Sequence, residues 1–224
     1  MNRTRLADRK IPDYTHGEEI FNMVSHIAGG AFAVTALVMC VYVSAMHGNV
    51  WGIVSSVIYG VTMVTLYTMS SIYHGLVGKD TAKKVFQVFD HCAIFFLIAG
   101  TFTPLALCGL RPSYPVLGWV TLGIVWAVSI LGVTLNAIDL RKYRVFSMIC
   151  YIGVSWGVIA AIIPLLEVLP AGALVFLFGG GVFYTLGAIL YGLGTKIRFM
   201  HSVFHLFVVA GSIMHFFCIV LYLM

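Results

Sequence analysis

Five polar side chains interrupt the apolar stretches of this sequence with spacings suited to chemistry. His201 and His205 stand four residues apart in the string HSVFH, and Ser70 and His74 have the same spacing at the end of an earlier apolar stretch. Residues four apart lie on one face of a helix, so each pair can point at a shared site. Asp90 follows in the first turn of the next stretch. Ionisable side chains are costly in such surroundings, and each is therefore a candidate functional residue.

Three of these residues are the imidazoles that a metal site needs. Three histidines with one open position and a nearby carboxylate are the ligand set of a catalytic zinc site, whereas structural zinc sites are usually closed by four protein ligands. The spacing of His201 and His205 resembles that of the zincins, but no glutamate follows the first histidine, so the water-activating base must come from elsewhere. Asp90 is the candidate for that base. A buried polar network without metal is the alternative for the same residues.

The elements that must position these residues are membrane-spanning helices. The chain has 224 residues, of which 61% are hydrophobic and only 9% charged, and its mean hydropathy is +1.01. A span needs about 20 mostly apolar residues. Seven stretches qualify: 21–46, 51–76, 87–110, 114–135, 145–166, 170–193 and 202–223. Composition therefore predicts an all-α membrane protein, with a seven-transmembrane helix bundle over residues 20–224. A tail of residues 1–19 precedes the bundle and lacks the features of a signal peptide.

Basic residues predict the orientation of the bundle. Lys and Arg are enriched in cytoplasmic connections, and twelve of the thirteen fall on the same side, in the tail and in the second, fourth and sixth connections. These are Arg3, Arg5, Arg9, Lys10, Lys79, Lys83, Lys84, Arg141, Lys142, Arg144, Lys196 and Arg198. We therefore expect a cytoplasmic N-terminus, an external C-terminus and a multi-pass location in the cell inner (plasma) membrane. The net charge of +5 is explained by anionic membrane lipids as partners and requires no nucleic acid.

This topology brings the candidate residues to one depth. Ser70, His74, Asp90, His201 and His205 all lie near the cytoplasmic ends of spans 2, 3 and 7. The first span adds three polar residues on one face, at positions i, i+3 and i+7: Glu19, Asn22 and His26.

Two groups of residues, glycines and prolines, have simpler interpretations. The pairs Gly29–Gly30 and Gly153/Gly157 and the run 179–181 predict close helix packing, and Pro104 and Pro164 predict kinks in their helices.

Four segments resemble the signature segments of the bacterial hemolysin III family, the prokaryotic branch of the progestin and adiponectin receptor superfamily. They are EEIFNMVSHIAGG (18–30), SSIYHGL (70–76), FDHCAIFFLIAGTFTP (89–104) and HSVFHLFVVAGSIMHFF (201–217). The resemblance implies a seven-helix bundle with a cytoplasmic N-terminus and Zn²⁺ near the cytoplasmic face. It implies that His74, His201 and His205 bind the zinc, that Asp90 holds a water beside it, and that Ser70 lies one turn from the first ligand. Glu19, Asn22 and His26 match the first segment, where we expect support of the ligands or helix packing rather than ligation.

Three functions are open at this point. The superfamily is also similar to the alkaline ceramidases, so the first is a zinc hydrolase of a lipid amide or ester near the cytoplasmic leaflet, with Asp90 and Ser70 as catalytic residues. The second is a receptor-like or membrane-homeostasis protein in which zinc is structural and a lipid is a ligand without turnover. The third takes the family name literally, as a pore-forming cytolysin. Seven uniformly hydrophobic spans give the third no evident route out of the producing cell.

Overall fold

The structure, a computed structural model, describes residues 4–78 and 80–224 of the chain. Within these residues, seven helices are long and apolar enough to cross a membrane. They are α1 (His16–Met46), α2 (Val50–Gly75), α3 (Thr81–Leu110), α4 (Pro115–Asp139), α5 (Arg144–Val168), α6 (Ala171–Leu193) and α7 (Met200–Tyr222). The described residues form no strand. The predicted all-α class with seven membrane-spanning helices is therefore confirmed.

The third helix is the centre of the bundle. In the most apolar part of α3, 72% of the residues are buried, whereas the corresponding share is 28% or less in α1, α4, α5 and α6. The closest pairings are α1 with α2, α6 with α7, and α2 with α3. Large apolar side chains on the outer helices are exposed, among them Val38, Ile163 and Val175. An apolar outer surface of this kind suits contact with lipid.

Two helices begin earlier than their apolar stretches, because polar side chains satisfy their first N–H groups. Thr15 and Glu18 form a capping box at the start of α1, in which the Thr15 Oγ1 accepts from the Glu18 N–H at 3.2 Å and the Glu18 carboxylate accepts from the Thr15 N–H at 2.8 Å. Asp80 Oδ1 accepts from the Lys83 N–H at 2.9 Å and caps α3. The helices thus start five and six residues before the predicted apolar stretches at about residues 21 and 87, because hydropathy does not detect a polar first turn.

Proline and glycine act locally within the bundle. The last turn of α3, Leu105–Leu110, is π-helical directly after Pro104, and a 3-10 segment, Gly157–Ala161, precedes Pro164 in α5. The predicted close packing occurs at Gly29, where an added Cβ would lie 2.6 Å from the Tyr67 ring. It was wrong for Gly153 and Gly157, which have no neighbouring atoms within 4 Å of an added Cβ.

The tail lies across the end of the bundle at which α1 begins, which we call the amino-terminal end. The Thr4 N–H donates to Asp139 Oδ2 at 2.8 Å, and the Arg9 guanidinium donates to the Ile138 carbonyl at 3.0 Å. Both acceptors belong to the last turn of α4, so these bonds satisfy polar groups at a helix end. Ile11 is buried beside them. These bonds thus hold the tail across the amino-terminal end of the bundle.

Candidate metal centre

Three buried histidines from two helices meet at the amino-terminal end of the bundle. One nitrogen from each of His74, His201 and His205 lies within 4.8 Å of the others, an arrangement that could hold a metal ion. The His201 and His205 Nε2 atoms are 3.1 Å apart. Two nitrogens at about 2.0–2.1 Å from one tetrahedral metal ion would be separated by about 3.3 Å. This pair is therefore already spaced for a shared ion.

The start of α7 is held in place by α1. Phe199 has a left-handed backbone conformation with φ of 62°, which costs roughly 1–2 kcal/mol in a residue with a Cβ. Its N–H donates to Glu18 Oε1 at 2.7 Å, and a hydrogen bond to a carboxylate offsets part of that cost. The turn at Phe199 places His201 and His205 in the first two turns of α7.

A carboxylate orients His74 in the last turn of α2. The His74 Nδ1 lies 2.6 Å from Glu19 Oε2 and 3.4 Å from the Asn22 Nδ2. A carboxylate can only accept, and its contact is much the shorter, so Nδ1 carries the proton and donates to Glu19. The opposite nitrogen, Nε2, is buried without a hydrogen-bond partner among the described residues. A lone pair left free on Nε2 is the state in which a histidine binds a metal ion.

A buried lysine holds that carboxylate. Lys83 Nζ donates to Glu19 Oε1 at 2.7 Å and to the Leu76 carbonyl at 2.7 Å, and the Lys83 side chain is only 4% exposed. A buried ammonium requires such partners, because desolvation penalises an unpaired charge. Lys83, Glu19 and His74 therefore form a continuous chain of hydrogen bonds from α3 through α1 to α2, and we refer to it as the Lys83–Glu19–His74 chain.

Two aromatic rings pack on the histidines of α7. The His26 ring packs on His205 with centroids 3.8 Å apart and an interplanar angle of 32°, and neither of its nitrogens has a hydrogen-bond partner among the described residues. The Tyr14 ring stacks on His201 at 4.8 Å with an interplanar angle of 21°. Burial raises the pKa of the Tyr14 hydroxyl well above its usual value, so this residue stays neutral. His26 thus contributes packing to the cluster, and Tyr14 covers it from the tail.

A large cavity of about 690 Å³ opens beside the cluster. Its walls include Ser70, Asp90, His201, His205 and Tyr14. Ser70 is 1% exposed to the outside of the protein. Asp90 Oδ2 lies 3.5 Å from the His91 Nδ1, and within the described part of the chain no hydrogen bond joins it to the three histidines. Asp90 and Ser70 are therefore on the wall that a substrate in the cavity would contact.

A smaller cavity of about 330 Å³ approaches the cluster from the other side. It is lined by His74, Glu19 and Lys83, and also by Tyr14. The two cavities thus reach different members of the histidine cluster, and the Tyr14 ring forms part of the wall of both.

The residues present suit a metal ion. Three imidazole donors are a set that zinc, copper, iron and nickel accept. The Nε2 of His74 is free to bind. The His201 and His205 Nε2 atoms share a hydrogen bond, so the proton of that bond must move off Nε2 for both to bind one ion. Asn22 contacts His74 through its side-chain amide, and Glu19 accepts a hydrogen bond from the His74 Nδ1. Neither residue therefore occupies the position of a metal ligand.

Sequence reasoning missed Lys83 and Tyr14. Lys83 was counted only as a basic residue of a connection, although Lys83, Gln87 and Asp90 have the i, i+4, i+7 spacing of one helix face. Extending α3 back to its cap at Asp80 would have allowed this spacing to place Lys83 on the same helix face as Asp90. Tyr14 stands alone in a polar tail, and no periodicity pointed to its contact with His201.

Comparison with known proteins assigns the chain to a family. The family model described as "Haemolysin-III related" matches residues 14–216, which is most of the chain. The chain belongs to the haemolysin-III-related family. It is 38% identical to hemolysin-3 of Bacillus cereus over 92% of both chains, and 36% identical to a hemolysin-3 homolog of Bacillus subtilis over 93% of this chain and 96% of that one. It is also 26% identical to the human monocyte to macrophage differentiation factor, over 85% of this chain and 79% of that protein. This haemolysin-III-related protein is therefore a multi-pass membrane protein with a buried three-histidine group that could hold a metal ion.

Proposed function

We propose that this protein is a zinc-dependent hydrolase of a lipid amide or ester, acting at the cytoplasmic leaflet of the cell inner membrane. One observation carries the proposal: two histidines of the metal-binding group, His201 and His205, share the wall of the large cavity with Asp90 and Ser70. That cavity exposes mostly apolar side chains beyond the cluster, including Leu97. A reactive group at one end of an apolar cavity is suited to a lipid with a polar bond to cleave.

The roles of the protein residues follow from their chemistry. Bound zinc supplies Lewis-acid polarisation and lowers the pKa of water towards about 7. Asp90 accepts the proton from the attacking water, which is general-base catalysis. The Ser70 hydroxyl donates a hydrogen bond to the carbonyl oxygen as negative charge develops there. The water oxygen bonds to the carbonyl carbon, the C–N or C–O bond breaks, and the leaving group takes the proton.

The orientation is part of the proposal. It is supported by the excess of Lys and Arg in the tail and in the connections that lie at the amino-terminal end of the bundle. With that end in the cytoplasm, the cluster lies at the level of the inner leaflet. A reporter fused to each terminus tests the orientation directly.

The Asp90→Asn variant tests the proposed chemistry. We expect it to retain zinc, measured by metal mass spectrometry, and to lose turnover, measured as a change in the lipid profile of expressing membranes. The matched control is Asp8→Asn, which removes an exposed carboxylate of the tail and should behave as wild type. A lipid profile that is the same with wild type and with Asp90→Asn, while both hold zinc, would overturn the proposal.

A structural role for zinc is the second candidate, and one observation favours it. The histidine group joins α2 to α7, helices distant in the chain. In that case zinc removal lowers the stability of the bundle, and Asp90→Asn leaves every measured property unchanged. The same experiment therefore separates the two functions.

A further inference from the structure

The opening of the large cavity is strongly basic. Six cationic side chains contribute to its lining, and they come from the tail, the α4–α5 connection, the start of α5 and the α6–α7 connection: Arg9, Lys10, Arg141, Arg144, Lys196 and Arg198. Five of the six are exposed at the surface of the protein, so they surround the entrance rather than the interior. We call these six residues the cationic mouth.

Carboxylates neutralise the cationic mouth only in part. The same cavity is lined by three of them, Asp13, Glu18 and Asp90, so six cations minus three anions leaves an excess of three positive charges. Glu18 accepts from the Phe199 and Thr15 N–H groups and also interacts electrostatically with Arg198. The small cavity has the opposite balance, with two carboxylates and one lysine in its lining. The positive excess is therefore specific to the large cavity.

The general enrichment of basic residues at this end of the bundle does not explain the arrangement. Arg5, Lys84 and Lys142 lie at the same end and do not line the cavity. Arg9 is only 6% exposed and donates to the Ile138 carbonyl, yet its Nε has no hydrogen-bond partner among the described residues. Asp139 supplies a nearby negative charge to Arg9. The buried Nε donor still lacks a hydrogen-bond partner, which is costly, and an anionic oxygen at the mouth is suited to accept from it.

The interior of the same cavity is apolar and elongated. Its lining includes Leu97, Phe102 and Val208, and it extends along α7 from His201 to His215. These two histidines are 14 residues apart, which is about 20 Å along a helix. A cavity with cations at its entrance and an apolar interior complements an amphiphile that carries a negative charge at one end.

We propose that the large cavity binds an anionic lipid, with the phosphate or carboxylate of its headgroup on the cationic mouth and its acyl chain in the apolar interior. This deepens the proposed function and rests on it, because it assumes that the cavity receives the lipid to be cleaved. It names the substrate class as lipids with a negatively charged headgroup. A zwitterionic lipid presents a compensating positive charge to the mouth and binds less well.

Lipid binding to the purified full chain tests the proposal. The probes are phosphatidylglycerol and phosphatidylcholine with identical acyl chains, with bound lipid measured by native mass spectrometry. The double variant Arg141→Gln/Lys196→Gln removes two exposed cations of the mouth. The double variant Arg5→Gln/Lys142→Gln removes one arginine and one lysine from the same end, outside the cavity lining, and is the matched control.

We expect wild type to prefer phosphatidylglycerol. In the mouth variant, the ratio of phosphatidylglycerol affinity to phosphatidylcholine affinity should fall about fivefold for each charge removed. The control variant should keep the preference. Equal losses in both double variants, or no preference in wild type, would overturn the proposal. Inorganic phosphate is the soluble competitor: if it abolishes phosphatidylglycerol binding while binding equally well without lipid, the mouth is a site for free phosphate and the lipid assignment is wrong.

Repeating the binding measurement with His205→Ala separates this inference from the proposed function. That variant should lose metal and any turnover, since His205 belongs to the three-histidine group. The headgroup preference should persist, because the cationic mouth is intact. The thermal transition shows whether His205→Ala is folded. If the folded variant lost its preference for phosphatidylglycerol, the headgroup site would not be separate from the metal site, and the inference would be wrong.

Discussion

The Lys83–Glu19–His74 chain predicts that Glu19→Gln weakens metal binding without removing a ligand. The substitution keeps the size of the side chain but replaces a carboxylate 2.6 Å from the His74 Nδ1 with a neutral amide. Hydrogen bonds to charged groups contribute about 1.5–3 kcal/mol, against about 1 kcal/mol for neutral pairs. The loss is therefore about 0.5–2 kcal/mol, with a midpoint of about 1.3 kcal/mol. This corresponds to about a tenfold higher Kd for zinc, which lies within the usual effect of losing such a supporting group.

The assay is competition between the purified protein and a chromogenic zinc chelator. Glu167→Gln is the matched control, because Glu167 accepts from the Tyr114 hydroxyl at the opposite end of the bundle. Its Kd for zinc should equal that of wild type.

Lys83→Met extends the test, because the Lys83 ammonium holds the Glu19 carboxylate that orients His74, in addition to its bond to the Leu76 carbonyl. If the three groups form one unit, Lys83→Met also raises the Kd, and the double variant is no worse than the more severe single variant. An unchanged Kd in Glu19→Gln, or effects of the two substitutions that simply add, would show that the three groups do not act as one unit.

Three further outcomes follow from the structure. Removing metal with a chelator should lower the thermal transition of the wild-type protein, because the site joins two helices. Tyr14→Ala should speed metal removal by uncovering His201, whereas Tyr14→Phe keeps the stacked ring and should leave the rate unchanged; equal rates in both variants would contradict the covering role. Gly132→Ala should destabilise the bundle by about 1–3 kcal/mol, because its Cβ would lie 2.1 Å from the Phe95 ring, whereas Gly123→Ala on the same helix meets no atom within 4 Å and should not.

Hydropathy and charge were enough to predict the seven helices, because a membrane imposes a long apolar run on every span. The same reasoning placed His74, His201 and His205 at one depth, where the structure brings them together. It could not set the rotation of each helix about its axis, which decides that Glu19 faces His74 and that His26 packs on His205. Those contacts depend on packing between helices, which a single sequence does not display.

The contributions of Lys83 and Tyr14 were beyond the hydropathy argument for a different reason. Lys83 lies in a charged first turn that hydropathy assigns to a connection, and only the cap at Asp80 makes that turn part of α3. Tyr14 reaches His201 because the tail is bound to the end of α4 by Thr4 and Arg9. Contacts of this kind join segments more than a hundred residues apart, and the local sequence does not indicate them.

Metal content is the most direct test of the central claim that three histidines from α2 and α7 hold a zinc ion. The protein is purified without chelator, and its metals are measured by mass spectrometry for wild type, His205→Ala and the control His47→Ala, which changes a histidine at the opposite end of the bundle. We expect one zinc per chain in wild type and in His47→Ala, and little or none in His205→Ala. A folded wild-type protein without metal, or full zinc retention in His205→Ala, would contradict the central claim.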